Sequence, residues 1–472
     1  MKVLVIGEGA REHAIAESLA NAGDSVFALA SFRNPGLLSV TSRTGGRLLL
    51  GRVTDPSTAR RALQSISPDL VVIGPEDPLF SGVSETVREE GIPVVGPNSS
   101  MARIEASKVW MRQLMEKYDI PGRLRFKSFD SIAEAAVFVK SVEGSIVIKP
   151  AEQVGGKGVR VITDIQAYLS QDKKESASFT LSEISTTVKG KEKVIVEEKV
   201  EGPEYTLHGL SDGHSMIFLP LAQDYKHAFD YGVGPETGGM GSISGPKDSL
   251  PFITSSELEE TKDILNATIK AVEAETKGSY VGFLGGQMML TPLWGPTVIE
   301  YYTRLGDPEA SSIITRVRNF GELLHRVGST SLARATVDVM DEPAVVKVVA
   351  PRGYPMNRNM AAGHSLTVDV ERIREAGCII YFGSVSLEGG KLVTQGSRAL
   401  ELVALGGFEE ASKRLERCIS MVSSNYPLYH RSDIGVTISD QIKLAELSRR
   451  MRSSDAYRAM LSTFFDVKGG SS

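Results

Sequence analysis

Uninterrupted apolar runs that end on glycine or proline recur through the first hundred residues, and they limit what this chain can fold into. Val3–Ile6 runs into Gly7-Glu8-Gly9, Val26–Ala30 precedes Asn34-Pro35-Gly36, Leu70–Ile73 meets Gly74-Pro75-Glu76, and Pro93–Val95 meets Gly96-Pro97-Asn98. A strand that is apolar on both faces belongs inside a parallel sheet covered by helices. Between the first two runs, Ile15 and Leu19 stand four apart on one helical face. Strands alternating with helices predict a doubly wound α/β sheet. Such sheets bind ligands at the carboxyl ends of their strands, where these turns lie.

The 46 glycines of the 472 residues are about 10% of the chain, against an average near 7%. Many are gathered into short segments. Gly7-Glu8-Gly9-Ala10-Arg11-Glu12 begins like a dinucleotide fingerprint, but its sixth position is Glu12 where close helix packing needs a small residue. What survives is a turn offering backbone N–H groups to a single phosphate. Gly155-Gly156-Lys157-Gly158 lies between two short strands and reads as a hairpin tip able to fold over a polyphosphate. No G-x-x-x-x-G-K-[ST] sequence occurs, so a P-loop is excluded. Lys149 follows Ile146-Val147-Ile148 and requires an anionic partner or solvent.

The segment Ile299-Glu300-Tyr301-Tyr302-Thr303-Arg304-Leu305-Gly306-Asp307-Pro308-Glu309 is the most distinctive. Glu300 emerges from an apolar strand, and Tyr302 shares its face by the two-residue period. A carboxylate there suits Mg²⁺ against phosphate oxygens; a plainer reading is an Arg304–Asp307 pair bracing the turn. Glu197-Glu198-Lys199-Val200 ends a strand whose backbone and carboxylate suit an adenine edge and a ribose. Beyond it the chain reads as antiparallel strands, one long helix over Ser255–Thr276, a β-rich stretch, and helical periodicity from Asp440 to Val467.

Charge excludes some classes. With 53 basic and 58 acidic residues the net charge is −5, which argues against a nucleic-acid-binding protein and leaves room for a local basic pocket. Cys378 and Cys418 are too few for a disulfide framework or a thiolate zinc site and read as buried small apolar residues. No apolar run is long enough for a membrane span, so the expected location is the cytoplasm.

Taken in order, these segments resemble the phosphoribosylamine–glycine ligases (glycinamide ribonucleotide synthetases) of the ATP-grasp superfamily. The resemblance rests on Gly-Glu-Gly-Ala-Arg-Glu-His at 7–13, Gly-Pro-Glu at 74–76, Ser107-Lys108, Ile148-Lys149 and Gly156-Lys157-Gly158-Val159. It continues through Gln223-Asp224, Lys226, Thr237-Gly238-Gly239-Met240-Gly241, Arg304, Gly306-Asp307-Pro308-Glu309 and Asp433-Ile434-Gly435. It implies a substrate domain over 1–101, an ATP-grasp domain over 102–327 with a lid at about 121–190, a β-rich domain over 328–438, and a helical extension and tail over 439–472.

The activity implied is ATP-dependent joining of glycine to 5-phosphoribosylamine through a glycyl phosphate, with Mg²⁺ or Mn²⁺, in a monomer or homodimer. By resemblance, Lys108, Lys149, Gly155, Gly156, Lys157 and Gly158 contact ATP phosphates, and Glu197, Glu198, Lys199, Val200 and Glu204 hold adenine and ribose. Gly9, Arg11, Glu12, His13 and Glu76 hold the phosphoribosylamine. Asp224, Gly238, Gly239, Met240, Gly241, Arg304 and Asp307 complete the substrate pockets, with Arg304, Asp307 and Asp224 closest to the chemistry. The resemblance implies Glu300 and Gln287 as the metal ligands. The chain departs from the family pattern at Tyr302, where Asn is usual, at Ala151 and at Glu236. Those departures leave two alternatives: a carboxylate–amine ligase with a changed substrate, from Glu236, and a catalytically silent nucleotide-binding paralogue, from Tyr302.

Overall fold

A computed structural model describes residues 1–142, 146–151, 160–162 and 194–462. The segments 143–145, 152–159, 163–193 and 463–472 lie outside the described residues, and with them the glycine tip Gly155–Gly158.

The apolar runs at the amino end form a five-stranded parallel sheet, ordered Leu48–Leu50, Ser25–Ala30, Lys2–Ile6, Leu70–Ile73, Val94–Val95. The order reverses between Lys2–Ile6 and Leu70–Ile73. The crevice at that reversal therefore lies between Gly7-Glu8-Gly9 and Gly74-Pro75-Glu76. Glu12 fills part of it. A Cβ on Gly7 would stand 2.6 Å from Glu12 Cγ, and one on Gly74 would stand 2.1 Å from Glu12 Oε1. Both glycines are thus required by the carboxylate that displaced the dinucleotide fingerprint.

A second sheet of ten strands dominates the rest. Its path runs Gly295–Tyr302, Val281–Thr291, Glu204–Asp212, Ala222–Asp224, Gly241–Ser244, Ala344–Pro351, Leu400–Leu405, Ile379–Phe382. The hairpin Val281–Thr291/Gly295–Tyr302 sits at one end, with Gln287 opposite Glu300 and a bulge beside Gln287. A smaller antiparallel sheet orders Phe126–Phe129, Val194–Glu198, Ile146–Pro150 and Arg160–Ile162. The long helix Ser255–Thr276 forms as the periodicity predicts and opens with a capping box made by Thr254 and Glu257.

Local signals set several boundaries. The stretch from Ser99 to Lys117 is two helices, Ser99–Ala106 and Lys108–Lys117. Ser107 breaks them because its hydroxyl accepts from Trp110 N (3.3 Å), acting as an N-cap. The strand Ile379–Phe382 ends where the Phe382 and Gly383 carbonyls accept from Asn34 Nδ2 (2.8 and 3.0 Å), and a new strand begins at Val385. Cys378 and Cys418 are buried as expected, but they pair with each other as a disulfide.

Candidate active site

The break at Ser107 puts Lys108 in the first turn of a helix, with its amide donating to the Ala151 carbonyl (3.0 Å). Its ammonium lies 3.2 Å from Glu300 Oε2. The phenol of Tyr302, on the same face, donates to Glu300 Oε1 (2.8 Å) and lies 3.4 Å from Gln287 Oε1. Burial alone would raise the Glu300 carboxyl, but Lys108, Lys226, Lys149 and the phenol outweigh it and hold it far below the usual carboxylate range. Burial, with the Glu300 charge behind it, pushes the Tyr302 phenol well up, so it stays a neutral donor.

The neighbouring strand Glu204–Asp212 contributes by its two-residue period. Glu204 Oε2 accepts from Gln287 Nε2 (2.8 Å) and pairs with Lys226 (3.0 Å), while Thr206 donates to Gln287 Oε1 (2.7 Å). Gln287 Nε2 also reaches Asp224 Oδ1 (3.2 Å). Burial is the main reason the Asp224 carboxyl rises to about 7; Glu309 and Glu204 add to it against Lys226. Burial opposes the charge of Lys226, yet Glu204, Asp224 and Glu300 keep its ammonium well above its ordinary value.

Lys149 finds the anion its strand demanded. Its ammonium is 2.7 Å from Glu197 Oε2, and Arg112 Nε is 2.6 Å from Glu197 Oε1. Glu197 faces inward, and Glu198 faces the other side of the strand, accepting from Arg125 N (2.9 Å) and Trp294 Nε1 (3.1 Å). The two carboxylates are therefore committed to protein partners. Lys199 pairs with Glu201.

A second cluster occupies the crevice of the parallel sheet. Arg304 leaves the same strand end as Glu300. Its Nε donates to Glu76 Oε2 (2.9 Å), its Nη2 is 3.3 Å from Glu105 Oε1, and its guanidinium lies over the Tyr302 ring (4.8 Å). Arg11 reaches the Leu305 carbonyl (3.0 Å) and Glu12 (2.5 Å), and Gly9 N donates to Glu12 Oε2 (2.5 Å). Burial would raise the Glu76 carboxyl, but Arg304 and Arg11 hold it down at about 2. Arg304 and Asp307 do not pair. Asp307 takes Arg398 instead (2.9 Å), and the same guanidinium donates to the carbonyls of Gly238 (2.6 Å) and Gly239 (3.1 Å). The Gly238–Gly241 loop is thereby tied to the Asp307 turn. Gly239, at φ +103°, presses against Pro308, where a Cβ would stand 2.5 Å from its Cδ. Met240 is fully buried beneath the loop.

His13 belongs to neither cluster. Its Nδ1 accepts from Phe382 N (3.0 Å), its ring stacks on Phe382, and Gly36 leaves it room. It joins the first sheet to the carboxyl-terminal strands. Several residues of the clusters carry no sequence expectation: Arg112, Glu105, Thr206, His208 and Arg398. Thr206 and His208 had a signal, since they share the face of Glu204 by alternation; His208 Nε2 accepts from Gly306 N (2.9 Å) and shapes the Arg304–Asp307 turn. Arg112 also had one, an arginine amid Val109, Met111, Leu114 and Met115 on a buried face. Arg398 had none.

Glu300 and Gln287 offer hard oxygens side by side, with the carboxylate kept ionised. That donor set fits a divalent cation that draws its remaining ligands from water and phosphate. Among the described residues no group of three His, Cys, Asp or Glu side chains is placed to hold a metal. No helix among them is long and apolar enough to cross a membrane.

Three family models cover the chain: the phosphoribosylglycinamide synthetase N domain over residues 1–105, its ATP-grasp (A) domain over 106–310, and its C domain over 344–437. A phosphoribosylamine–glycine ligase of Methanopyrus kandleri is 40% identical over 440 residues, 92% of this chain and 96% of that protein. One from Methanocaldococcus jannaschii is 39% identical over 442 residues, with the same coverage of both chains. The crystal structure of a phosphoribosylamine–glycine ligase from Thermotoga maritima superposes with a TM-score of 0.75 at 28% identity, covering 92% of this chain and all of that one.

Proposed function

This chain belongs to the phosphoribosylglycinamide synthetase family, and on that premise we propose how its residues carry the reaction. The enzyme joins glycine to 5-phosphoribosylamine and converts ATP to ADP and phosphate, a ligation of purine biosynthesis. The observation that carries the reading is one strand end. Glu300 and Arg304 leave it four residues apart, with Tyr302 touching both, so the corner suited to a nucleotide and metal abuts the corner suited to a sugar phosphate.

A glycine carboxylate oxygen attacks the γ-phosphorus of ATP, and the bond from that phosphorus to the bridging oxygen breaks to release ADP. The amine nitrogen of phosphoribosylamine then attacks the acyl carbon of glycyl phosphate. The C–O bond to phosphate breaks, inorganic phosphate leaves, and the nitrogen gives up a proton. No covalent bond to the protein is needed; the chain positions reactants and neutralises charge.

The cations for this are held in reserve. Lys108 rests on Glu300, Lys226 on Glu204, and Arg304 on Glu76. A bound divalent cation, Mg²⁺ or Mn²⁺, would take Glu300 and Gln287 and supply charge neutralisation at the phosphates. Lys108, released from Glu300, would then turn to the phosphate oxygens, with Lys149 behind it. Arg11, Arg304 and the Gly9 turn face the sugar phosphate. Asp224, the Gly238–Gly241 loop and Asp307 enclose the glycine side. Lys157 and its glycines lie outside the described residues; the family resemblance assigns them to the phosphates, where exclusion of water would protect the acyl phosphate.

Glu236 is exposed, so solvent screens the charge that favoured a changed substrate. Glu300 stays ionised beside the neutral Tyr302 phenol, and an ionised carboxylate remains available to a cation, which argues against a silent paralogue. We place the enzyme in the cytoplasm as a monomer or homodimer. We also retain the division into an amino-terminal substrate domain, an ATP-grasp domain, a β-rich domain and a helical extension. The test is purified protein with ATP, Mg²⁺, glycine and phosphoribosylamine generated in situ. ADP release should require both co-substrates; release that ignores either one refutes the assignment.

A further inference from the structure

The helix Ile438–Arg452 begins one residue beyond the matched C domain. Two of its leucines, Leu444 and Leu447, face solvent, while Ile438, Ile442 and Ala445 pack a narrow apolar stripe against the main core. Charge fixes its far end. Arg449 donates to Glu257 from Nε (3.0 Å) and Nη2 (2.7 Å) and to the Phe252 carbonyl (2.6 Å), and Arg452 Nη2 joins the same carboxylate (3.0 Å). Glu257 is nearly buried and also accepts from Thr254 N (3.0 Å) at the start of the long helix.

Two contacts reach strands that carry the nucleotide corner. Gln441 Oε1 accepts from Gln223 Nε2 (3.1 Å), and that same nitrogen donates to the Glu204 carbonyl (2.8 Å). Gln223 is the immediate neighbour of Asp224, and Glu204 pairs with Lys226. Arg452 sits on the turn of the hairpin that bears Gln287 and Glu300. Gly295 there has φ +75°, and a Cβ on it would stand 2.3 Å from Arg452 Nη1. The adjoining Trp294 bonds Glu198. Gly295–Tyr302 ends the path of the ten-stranded sheet, so no further strand of that path fixes its outer side.

We propose that this carboxyl-terminal helix is a brace that sets the nucleotide corner, with Gln441 and Arg452 as positioning residues acting through Gln223 and the Gly295 turn. Ligand-bearing strands must be held to about half an ångström, and an end strand needs outside support to be so held. The inference rests on the reading of that corner as the ATP site.

The experiment compares the full chain with Gln441→Ala, Arg452→Ala and the double variant. Calorimetry measures Mg·ADP binding, steady-state kinetics measure KM for ATP and kcat, and thermal unfolding is followed without ligand. Each single variant should weaken Mg·ADP binding and raise KM for ATP by about three- to ten-fold with kcat kept within about two-fold, the pattern of lost uniform binding. The melting temperature should move by only about 2–4 °C. Unchanged nucleotide affinity, with or without a lower melting temperature, overturns the brace. Failure of the unaltered protein to bind Mg·ADP instead defeats the nucleotide reading beneath it, so the two failures are told apart.

Discussion

Two lysine–glutamate pairs lie near each other in this enzyme and have opposite designs. Lys149 and Glu197 are sealed, with side-chain exposures of 9% and 1%. Arg112, fully buried, fills the other carboxylate oxygen and donates its remaining N–H groups to the carbonyls of Val298 (2.8 Å) and Ile299 (2.9 Å). Lys108 and Glu300 are open, at 14% and 30%, and their hydrogen-bond capacity is only partly used. A sealed pair costs too much to separate and serves as scaffold. An open pair can exchange partners, which a site receiving a polyphosphate and a cation requires. The difference teaches that the same two residue types build the frame in one place and the working surface in the other, and that the third partner decides which.

The sharpest way to break the comparison is to unseal the first pair. Arg112→Ala leaves Glu197 short of one cation and uncovers two strand carbonyls, and it should cost about 3–5 kcal/mol of stability, read as a fall in the thermal midpoint. A pH series gives the same information with a sign. Burial would raise Glu197, but Arg112 and Lys149 hold it at about 2 against its ordinary 4.5. Its stabilising contribution is therefore complete above the ordinary value and is lost as pH falls from there toward 2. Glu197→Gln should flatten that part of the acid unfolding profile. An unaltered profile would mean that the pair carries no such load.

Unsealing the second pair should show the reverse. Glu300→Gln keeps the shape and removes the charge. Its effect on the melting temperature should be small, because partly exposed pairs contribute about 0–1 kcal/mol. Its effect on kcat/KM should be large, on the order of 10²-fold, because the lost carboxylate acts where charge develops. A variant that melts far lower yet turns over normally would assign Glu300 to the frame and erase the distinction.

How much of this was legible in the sequence depends on distance along the chain. The parallel sheet, the long helix and the shared face of Glu300 and Tyr302 follow from local periods of 3.6 and 2, which a sequence displays directly. Lys149 within an apolar strand demanded an anion, and the structure supplies one. The identity of that anion was not readable, because Glu197 reaches Lys149 only through the long-range pairing of Val194–Glu198 with Ile146–Pro150. The Arg398 link to Asp307 was hidden for the same reason, and so was the use of His13 as a joint to Phe382. The break at Ser107 was local but masked, since a serine cap and a serine inside a helix look alike until the backbone angle is known. The disulfide joins two cysteines 40 residues apart, a pairing that composition alone argued against.

Tyr302 sharpens the comparison most finely, because it touches the open pair and Arg304 at once. Its phenol competes with any cation for Glu300 Oε1, while its ring supports Arg304. Tyr302→Phe removes only the first role. The carboxylate loses a donor and becomes a better ligand, so the Mg²⁺ concentration for half-maximal rate should fall by about two- to five-fold, the size of one modest hydrogen bond. KM for phosphoribosylamine should stay close to its original value, because the ring remains under Arg304. Tyr302→Leu removes both roles and should add a rise in that KM of about three-fold, the worth of a modest cation–π contact. If the two variants behave alike in both measurements, the ring contributes nothing separate from the hydroxyl, and the two corners of the site are coupled through Glu300 alone.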